Sequence, residues 1–118
     1  MKIHILFFFF FFVFTFFSCI DDSSMGPPTG GGNEECEGTS FTYSGHVAAI
    51  INTSCAISGC HVGGSLPDFR TYEVVFNNRS AIRSRVASRI MPPASSGLSL
   101  STQEINTIVC WVVNGAPQ

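Results

Sequence analysis

Residues 55–61 read Cys-Ala-Ile-Ser-Gly-Cys-His, and this stretch decides how the rest of the chain is interpreted. It places two thiols, Cys55 and Cys60, and the imidazole of His61 within seven consecutive positions. Gly59 lies between the thiols, and because glycine adopts positive φ angles without steric cost, the backbone can bulge outward there. The order of side chains suits a group that reacts with two thiols and is also bound by an imidazole.

Two cysteines followed at once by a histidine form an attachment signature for c-type haem, usually with two residues between the cysteines. Here four residues separate Cys55 from Cys60, and only the adjacency of Cys60 and His61 is the usual one. We expect thioethers from both thiols to the haem vinyl groups and His61 on the iron. One alternative is a Cys55–Cys60 disulfide in an exported protein, which gives no reason for the position of His61. Another is a zinc site that adds a further cysteine, although this spacing matches no common zinc pattern.

A second axial ligand is expected at Met91, thirty residues after His61 and held by Pro92 and Pro93 in a stiff loop. A thioether ligand favours reduced iron compared with histidine on both sides. The alternative is an ordinary core methionine. His46 is a competing ligand, but it lies away from the apolar face of its predicted helix, where a surface histidine is more usual.

The N-terminus has the layout of a signal peptide over residues 1–18. Lys2 is followed by an almost unbroken apolar run over 3–17, which contains nine of the twelve phenylalanines. This run is shorter than the roughly 20 residues that a spanning helix needs. Residues 16–19, Phe-Phe-Ser-Cys, resemble a bacterial lipoprotein signal, which implies lipidation of Cys19. The alternative is simple cleavage nearby, which leaves Cys19 as a spare thiol.

Residues 19–40 are predicted to be a lipidated, flexible tether, because they include a run of glycines at 30–32 and almost no large apolar group. Each buried methylene of an acyl chain contributes about 0.8 kcal/mol of membrane binding. We therefore expect a protein of the cell envelope, on the periplasmic side of a membrane or at the cell surface. The folded domain is predicted over residues 41–118.

The charge of the mature chain argues against nucleic-acid binding, and its small size favours a stabilising cross-link or cofactor. Beyond Cys19 there are five arginines, no lysine and eight acidic residues, a net charge of 5 − 8 = −3 with histidine neutral. Nucleic-acid binding would favour a basic face instead. A domain of under ~80 residues buries a modest core and commonly needs a staple, a metal or a cofactor.

An all-α domain of three to five helices is predicted, with no convincing strand alternation. A first helix is expected over 41–53 with Ser44 as its N-cap, a short one over 70–76, and a third over 80–90 with one apolar stripe. Met91 and the prolines after it should end the third helix, since a residue before proline is pushed out of helical geometry.

The last helix has the strongest signals. Ser101 and Glu104 fit a capping box, and Leu100 and Ile105 fit a hydrophobic staple. The Asn-Gly pair at 114–115 should end the helix.

The order of these features resembles small class I-type monohaem cytochromes c, and most of all the lipoprotein-anchored bacterial kind. The resemblance covers about 41–117 and includes the Met-Pro-Pro segment and the stretch LSLSTQEINTIVCWVVNGAP at 98–117. It implies a cytochrome c-like fold around one covalent haem, with Cys55 and Cys60 as thioethers and His61 and Met91 as iron ligands.

In that family the first and last helices cross beside the haem edge, which implies that Ile50 and Ile51 pack against Ile108, Val109 and Trp111. If those helices cross, a disulfide between the two remaining cysteines is geometrically reasonable. These are Cys36, ahead of the first helix, and Cys110, on the last. The alternative is two free thiols, which is unusual in an oxidising compartment.

Four arginines without interleaved acids crowd the third helix, namely Arg79, Arg83, Arg85 and Arg89. Their mutual repulsion calls for an anionic partner. Haem propionates could serve through charge-assisted forks. The alternatives are a solvated face or the docking of an acidic protein.

The sequence thus predicts an electron carrier rather than an enzyme, with redox proteins as electron donor and acceptor. Two other hypotheses remain open. One is a disulfide-stapled surface lipoprotein that binds a partner and holds no haem. The other is a haem enzyme or gas sensor in which Met91 does not bind and the sixth position is open.

Overall fold

The computed structural model describes residues 33–118, and within them every regular element is helical. The predicted signal peptide (1–18), the lipidation of Cys19 and the first part of the tether lie outside the described residues. A 3₁₀ turn spans Asn33–Cys36. A π-helical turn, Tyr43–Val47, runs directly into helix α1, and a second 3₁₀ turn spans Ala94–Ser96. The α-helices are α1 Ala48–Ser54, α2 Tyr72–Asn77, α3 Arg79–Ala87 and α4 Thr102–Val113.

The absence of strands in this region agrees with the all-α prediction; one isolated bridge joins Ser58 and Val62. No helix among residues 33–118 has the length and hydrophobicity that crossing a membrane requires.

The first helical segment begins at Tyr43 with Thr42 as its N-cap, so the predicted N-cap, Ser44, was wrong. The Thr42 hydroxyl accepts a hydrogen bond from the Gly45 amide at 3.1 Å, while Ser44 is exposed. The reason lies at the other end of the chain, because the Tyr43 amide donates to the Pro117 carbonyl at 2.9 Å. This contact fixes the first helical residue next to the C-terminus, which local sequence does not reveal.

Helix α3 is shorter than the predicted 80–90 and ends before the prolines. Ser88 is its C-cap, and Arg89 then adopts a left-handed conformation with φ +55°. The Arg89 and Ile90 amides donate to the carbonyls of Val86 and Arg85 at 3.0 and 2.9 Å, the paired bonds of a Schellman motif. The helix therefore ends at its own C-terminal turn. Its last residue, Ala87, lies three positions before the end that the prolines predicted.

Helix α4 follows the prediction closely. The Ser101 hydroxyl accepts from the Glu104 amide at 3.2 Å, and the Glu104 carboxylate accepts from the Ser101 amide at 2.8 Å, which completes the capping box. Asn114 is the C-cap, and Gly115, at φ +90°, occupies the left-handed position after it.

The core forms where α4 meets the π-helical turn and α3. Trp111, Ile108, Ile51 and Val47 are fully buried in it. Ile50 belongs to the same cluster, and Val109 packs against its edge. The first helical segment contacts α4 mainly through its N-terminal turn, Tyr43–Val47, and less through α1.

The ends of the described chain are tied to this core. The Trp111 indole N–H donates to the Pro117 carbonyl at 2.8 Å, and the Tyr72 hydroxyl donates to the Ala116 carbonyl at 2.9 Å. Cys36 and Cys110 lie with their sulfurs at disulfide-bonding distance and their Cα atoms 5.0 Å apart. Contacts to α4 therefore extend back to Cys36, ahead of the predicted domain boundary at 41.

Candidate functional site

A cavity of about 390 Å³ lies between the C-terminal end of α1, helix α3 and the loops that follow them. Its volume is within the range of small-molecule sites, about 300–1,000 Å³. The residues that the sequence predicted as haem ligands and thioethers all line it: Cys55, Cys60, His61 and Met91. The fold brings Met91 to the same cavity as the 55–61 stretch although thirty residues separate it from His61.

The 55–61 stretch forms a closed loop at the end of α1. The His61 amide donates to the Cys55 carbonyl at 3.2 Å, so the two ends of the loop meet. The Cys60 amide donates to the Ile57 carbonyl at 3.1 Å, and Gly59 has φ +82°. The bulge expected at Gly59 is therefore present, and it takes up the longer spacing between the cysteines.

Neither thiol in this loop is in a disulfide. Cys55 is buried and Cys60 is half-buried. Burial, and secondarily the nearby Cys60, raises the pKa of the Cys55 thiol to about 11, so this sulfur is a neutral thiol near pH 7. The disulfide alternative weighed for this pair is not the arrangement in the structure.

The His61 ring is held from two sides. Its Nδ1 lies 3.0 Å from the Pro67 carbonyl oxygen, which only accepts hydrogen bonds, so the contact places the proton on Nδ1. The ring also stacks on buried Phe69, with centroids 4.0 Å apart and planes 9° from parallel. With Nδ1 protonated, Nε2 keeps its lone pair, the form in which a histidine binds a metal.

Pro67 and Phe69 were missed as site residues at the level of sequence. Residues 66–69, Leu-Pro-Asp-Phe, predicted only a turn. The backbone bond from the Phe69 amide to the His61 carbonyl, 3.0 Å, closes this turn back onto the ligand loop. The one available signal was Pro67 itself, because a proline fixes the backbone six residues after His61.

Met91 lies in the loop after α3 and is half-buried against the cavity. Its amide donates to the Arg85 carbonyl at 3.2 Å. The neighbouring Ile90 is 57% exposed, so the chain presents the thioether and not the aliphatic side chain to the cavity.

The wall of the cavity is mostly apolar, with Ile82 and Val86 of α3 at its base. Arg85 is the one arginine among the lining residues, and no acidic residue is among them. Within residues 33–118 the Arg85 side chain makes no hydrogen bond, whereas Arg79 bonds to the Phe76 carbonyl at 2.7 Å and Arg89 bonds to the start of α4. The crowded arginines therefore have different surroundings, and only Arg85 faces a ligand cavity.

The other sequence candidates lie elsewhere. His46 is exposed and outside the cavity, and its Nδ1 accepts a hydrogen bond from the Thr42 amide at 3.2 Å. Among residues 33–118 there is no group of three or more His, Cys, Asp or Glu side chains arranged to hold a metal ion, which is what the zinc alternative would require.

No family model, curated protein or solved structure matches the chain.

Proposed function

We propose that the protein is a membrane-tethered monohaem c-type cytochrome that transfers single electrons between redox partners in the cell envelope. The observation that carries this proposal is the convergence of Cys55, Cys60, His61 and Met91 on one cavity. The contrast between the cysteine pairs supports it: of the cysteines in residues 33–118, Cys36 and Cys110 are paired, while the two beside the histidine are not.

The donor set in the cavity fits a covalent haem. Cys55 and Cys60 supply the two sulfurs for thioethers, and His61, whose Nε2 makes no hydrogen bond within residues 33–118, supplies one axial nitrogen. Met91 supplies a thioether from the loop after α3. Arg85, as the only arginine of the lining, is positioned to pair with an anionic substituent. A haem bound there would supply a single one-electron centre.

The chain's own residues would set the properties of that centre. Hydrogen bonding from Nδ1 to the Pro67 carbonyl fixes the orientation of His61 and raises its basicity as a ligand. The apolar side chains of Ile82, Val86 and Phe69 exclude water from one side of the cavity. Burial and a methionine ligand both favour the reduced state of a haem iron.

The tether places this chemistry at a membrane. Lipid on Cys19 would anchor the chain, and the Gly-rich segment that follows would let the domain swing between an electron donor and an acceptor. Because both axial positions would be filled by protein, the site has no need to bind a substrate.

A haem-stained denaturing gel tests the proposal. The full chain, produced in cells able to mature c-type cytochromes, should give a band with haem peroxidase activity at its own mobility. A colourless band would contradict the proposal and favour a stapled lipoprotein without haem.

Met91→Ala tests the axial ligand separately. The variant should keep the stained band, because the thioethers remain, but lose the weak absorbance band near the red end that reports methionine bound to ferric iron. Its midpoint potential should fall, because the iron loses the methionine thioether that favours its reduced state. An unchanged spectrum would indicate that Met91 does not bind and that the sixth position is open.

A further inference from the structure

Helices α3 and α4 end with the same turn but with different residues in its strained position. In α4 the residue directly after the C-cap is Gly115, for which positive φ has no steric cost, and Ala116 after it is also left-handed at φ +55°. In α3 it is Arg89, at φ +55°. A side chain in this region is disfavoured and persists only where surrounding contacts hold it, often near functional sites. The side chain of Arg89 is therefore expected to make a contribution that a glycine at this position could not make.

The backbone at Arg89 decides which neighbour faces the cavity. The turn aims Ile90 outward, where it is 57% exposed, and leaves Met91 against the cavity. The amides of both residues donate to a single carbonyl, that of Arg85, at 2.9 and 3.2 Å. Because the Ile90 and Met91 amides share the Arg85 carbonyl as acceptor, the direction of Met91 depends on the left-handed turn at Arg89 that brings both amides to it.

The Arg89 side chain closes the loop that carries Met91. One guanidinium nitrogen donates to the Leu100 carbonyl at 3.3 Å, and another donates to the Thr102 hydroxyl at 3.1 Å. Leu100 is buried, so this end of the link is fixed to the core. Residues 90–99 are thus held at both ends by one side chain, and that segment supplies five lining residues of the cavity, Met91, Pro92, Pro93, Ser96 and Leu98.

We propose that Arg89 is a positioning residue for Met91: its left-handed backbone aims the thioether into the cavity, and its guanidinium keeps the loop closed around it. This inference rests on the proposed function, because it concerns Met91 as an axial ligand. A glycine could provide the turn but not the link to α4, and a lysine, with a single nitrogen, could not span both acceptors in the same fork.

Three variants of the full haem-loaded protein separate the two contributions. Arg89→Gly keeps the turn and removes the link, and Arg89→Val removes the link and opposes the turn, since β-branched residues are outliers at positive φ. Arg83→Gln is the control, because it removes an arginine of α3 whose side chain makes no hydrogen bond within residues 33–118. The measurements are the methionine-to-iron absorbance band, the midpoint potential and amide hydrogen exchange at residues 90 and 91.

We expect the methionine band to weaken in Arg89→Gly and to weaken most in Arg89→Val, with the potential falling in the same order. Exchange at the two amides should rise about tenfold in Arg89→Val, while buried α4 amides keep their protection. Arg83→Gln should match the wild type. If Arg89→Val does not fold, Thr102→Val, which removes one acceptor, should give a smaller change of the same sign.

Coloured Arg89 variants with the wild-type band, potential and exchange rates would overturn this inference and leave the proposed function intact. A colourless wild-type protein would contradict the proposed function, and with it the role of Met91 that Arg89 is inferred to support.

Discussion

The two ends of the domain use cysteine in opposite ways. At one end Cys36 and Cys110 are buried at 2% and 4% exposure, with their sulfurs at bonding distance beside the packed Trp111. At the other end Cys55 and Cys60 remain thiols and face a cavity of about 390 Å³. The first end closes on itself through its own side chains, and the second leaves two free thiols lining a cavity. Stability and chemistry are therefore expected to separate along the molecule.

The largest expected effect comes from removing each cysteine pair in turn. Cys55→Ala/Cys60→Ala should abolish the haem-stained band completely, because no sulfur remains to form a thioether. Cys36→Ala/Cys110→Ala should keep the stained band and lower the free energy of unfolding by about 2–5 kcal/mol, the usual effect of losing a disulfide from a small exported domain. A stained gel and urea unfolding check the two outcomes.

If Cys36→Ala/Cys110→Ala does not accumulate, the single variant Cys110→Ala is measured in its place. If both double variants are folded and lose the haem stain to the same degree, the two cysteine pairs do not have the separate roles assigned to them.

After the complete loss of the haem stain, the next effect is expected on stability, from truncating the core at the packed end. Trp111 is fully buried and donates to the Pro117 carbonyl, so Trp111→Ala should lower the free energy of unfolding by about 3–5 kcal/mol. Trp111→Phe keeps most of the apolar contact and loses that hydrogen bond, and should cost less. Leu66, at the cavity end, is 50% exposed, so Leu66→Ala should change stability by only about 0.5 kcal/mol. Urea unfolding of the three variants checks this ranking, and equal losses for Trp111→Ala and Leu66→Ala would contradict it.

Among the stabilising contacts, the cap of α4 has the smallest expected effect. Ser101→Ala should lower the free energy of unfolding by about 1 kcal/mol through loss of the N-cap.

Hydrogen bonds from the Ser101 amide and then its hydroxyl lower the pKa of Glu104 below its ordinary 4.5. A lowered carboxylate pKa stabilises the fold above the unfolded value and loses that contribution as the pH falls through the folded value. Unfolding measured from pH 7 down to acid should therefore show this loss in the wild type and not in Glu104→Gln; identical pH profiles would count against the capping box as a source of stability.

The fold was predictable where the determining contacts are local. The cap at Ser101 and Glu104 and the end of α4 at Asn114 and Gly115 depend on residues within one helical turn, and the structure has them as predicted. The start of the first helix depends instead on the contact between Tyr43 and Pro117, more than seventy positions apart, and its N-cap was predicted at Ser44, two residues after Thr42.

The candidate site was predictable as a set of residue types but not as an arrangement. Thiols beside an imidazole and a methionine before two prolines are distinctive in sequence. The orientation of His61 by Pro67 and the turn at Arg89 are not, because a carbonyl carries no sequence signature and a left-handed arginine breaks the usual preference for glycine. Both depend on loops that only the packed fold brings together.

The most direct test is the intact mass of the mature protein, purified from cells that attach haem to cytochromes c, together with thiol alkylation of the unfolded, unreduced chain. The account predicts one added haem per chain and no alkylation at Cys55 or Cys60. A polypeptide mass without haem, with these two residues either alkylated or joined to each other, would contradict it.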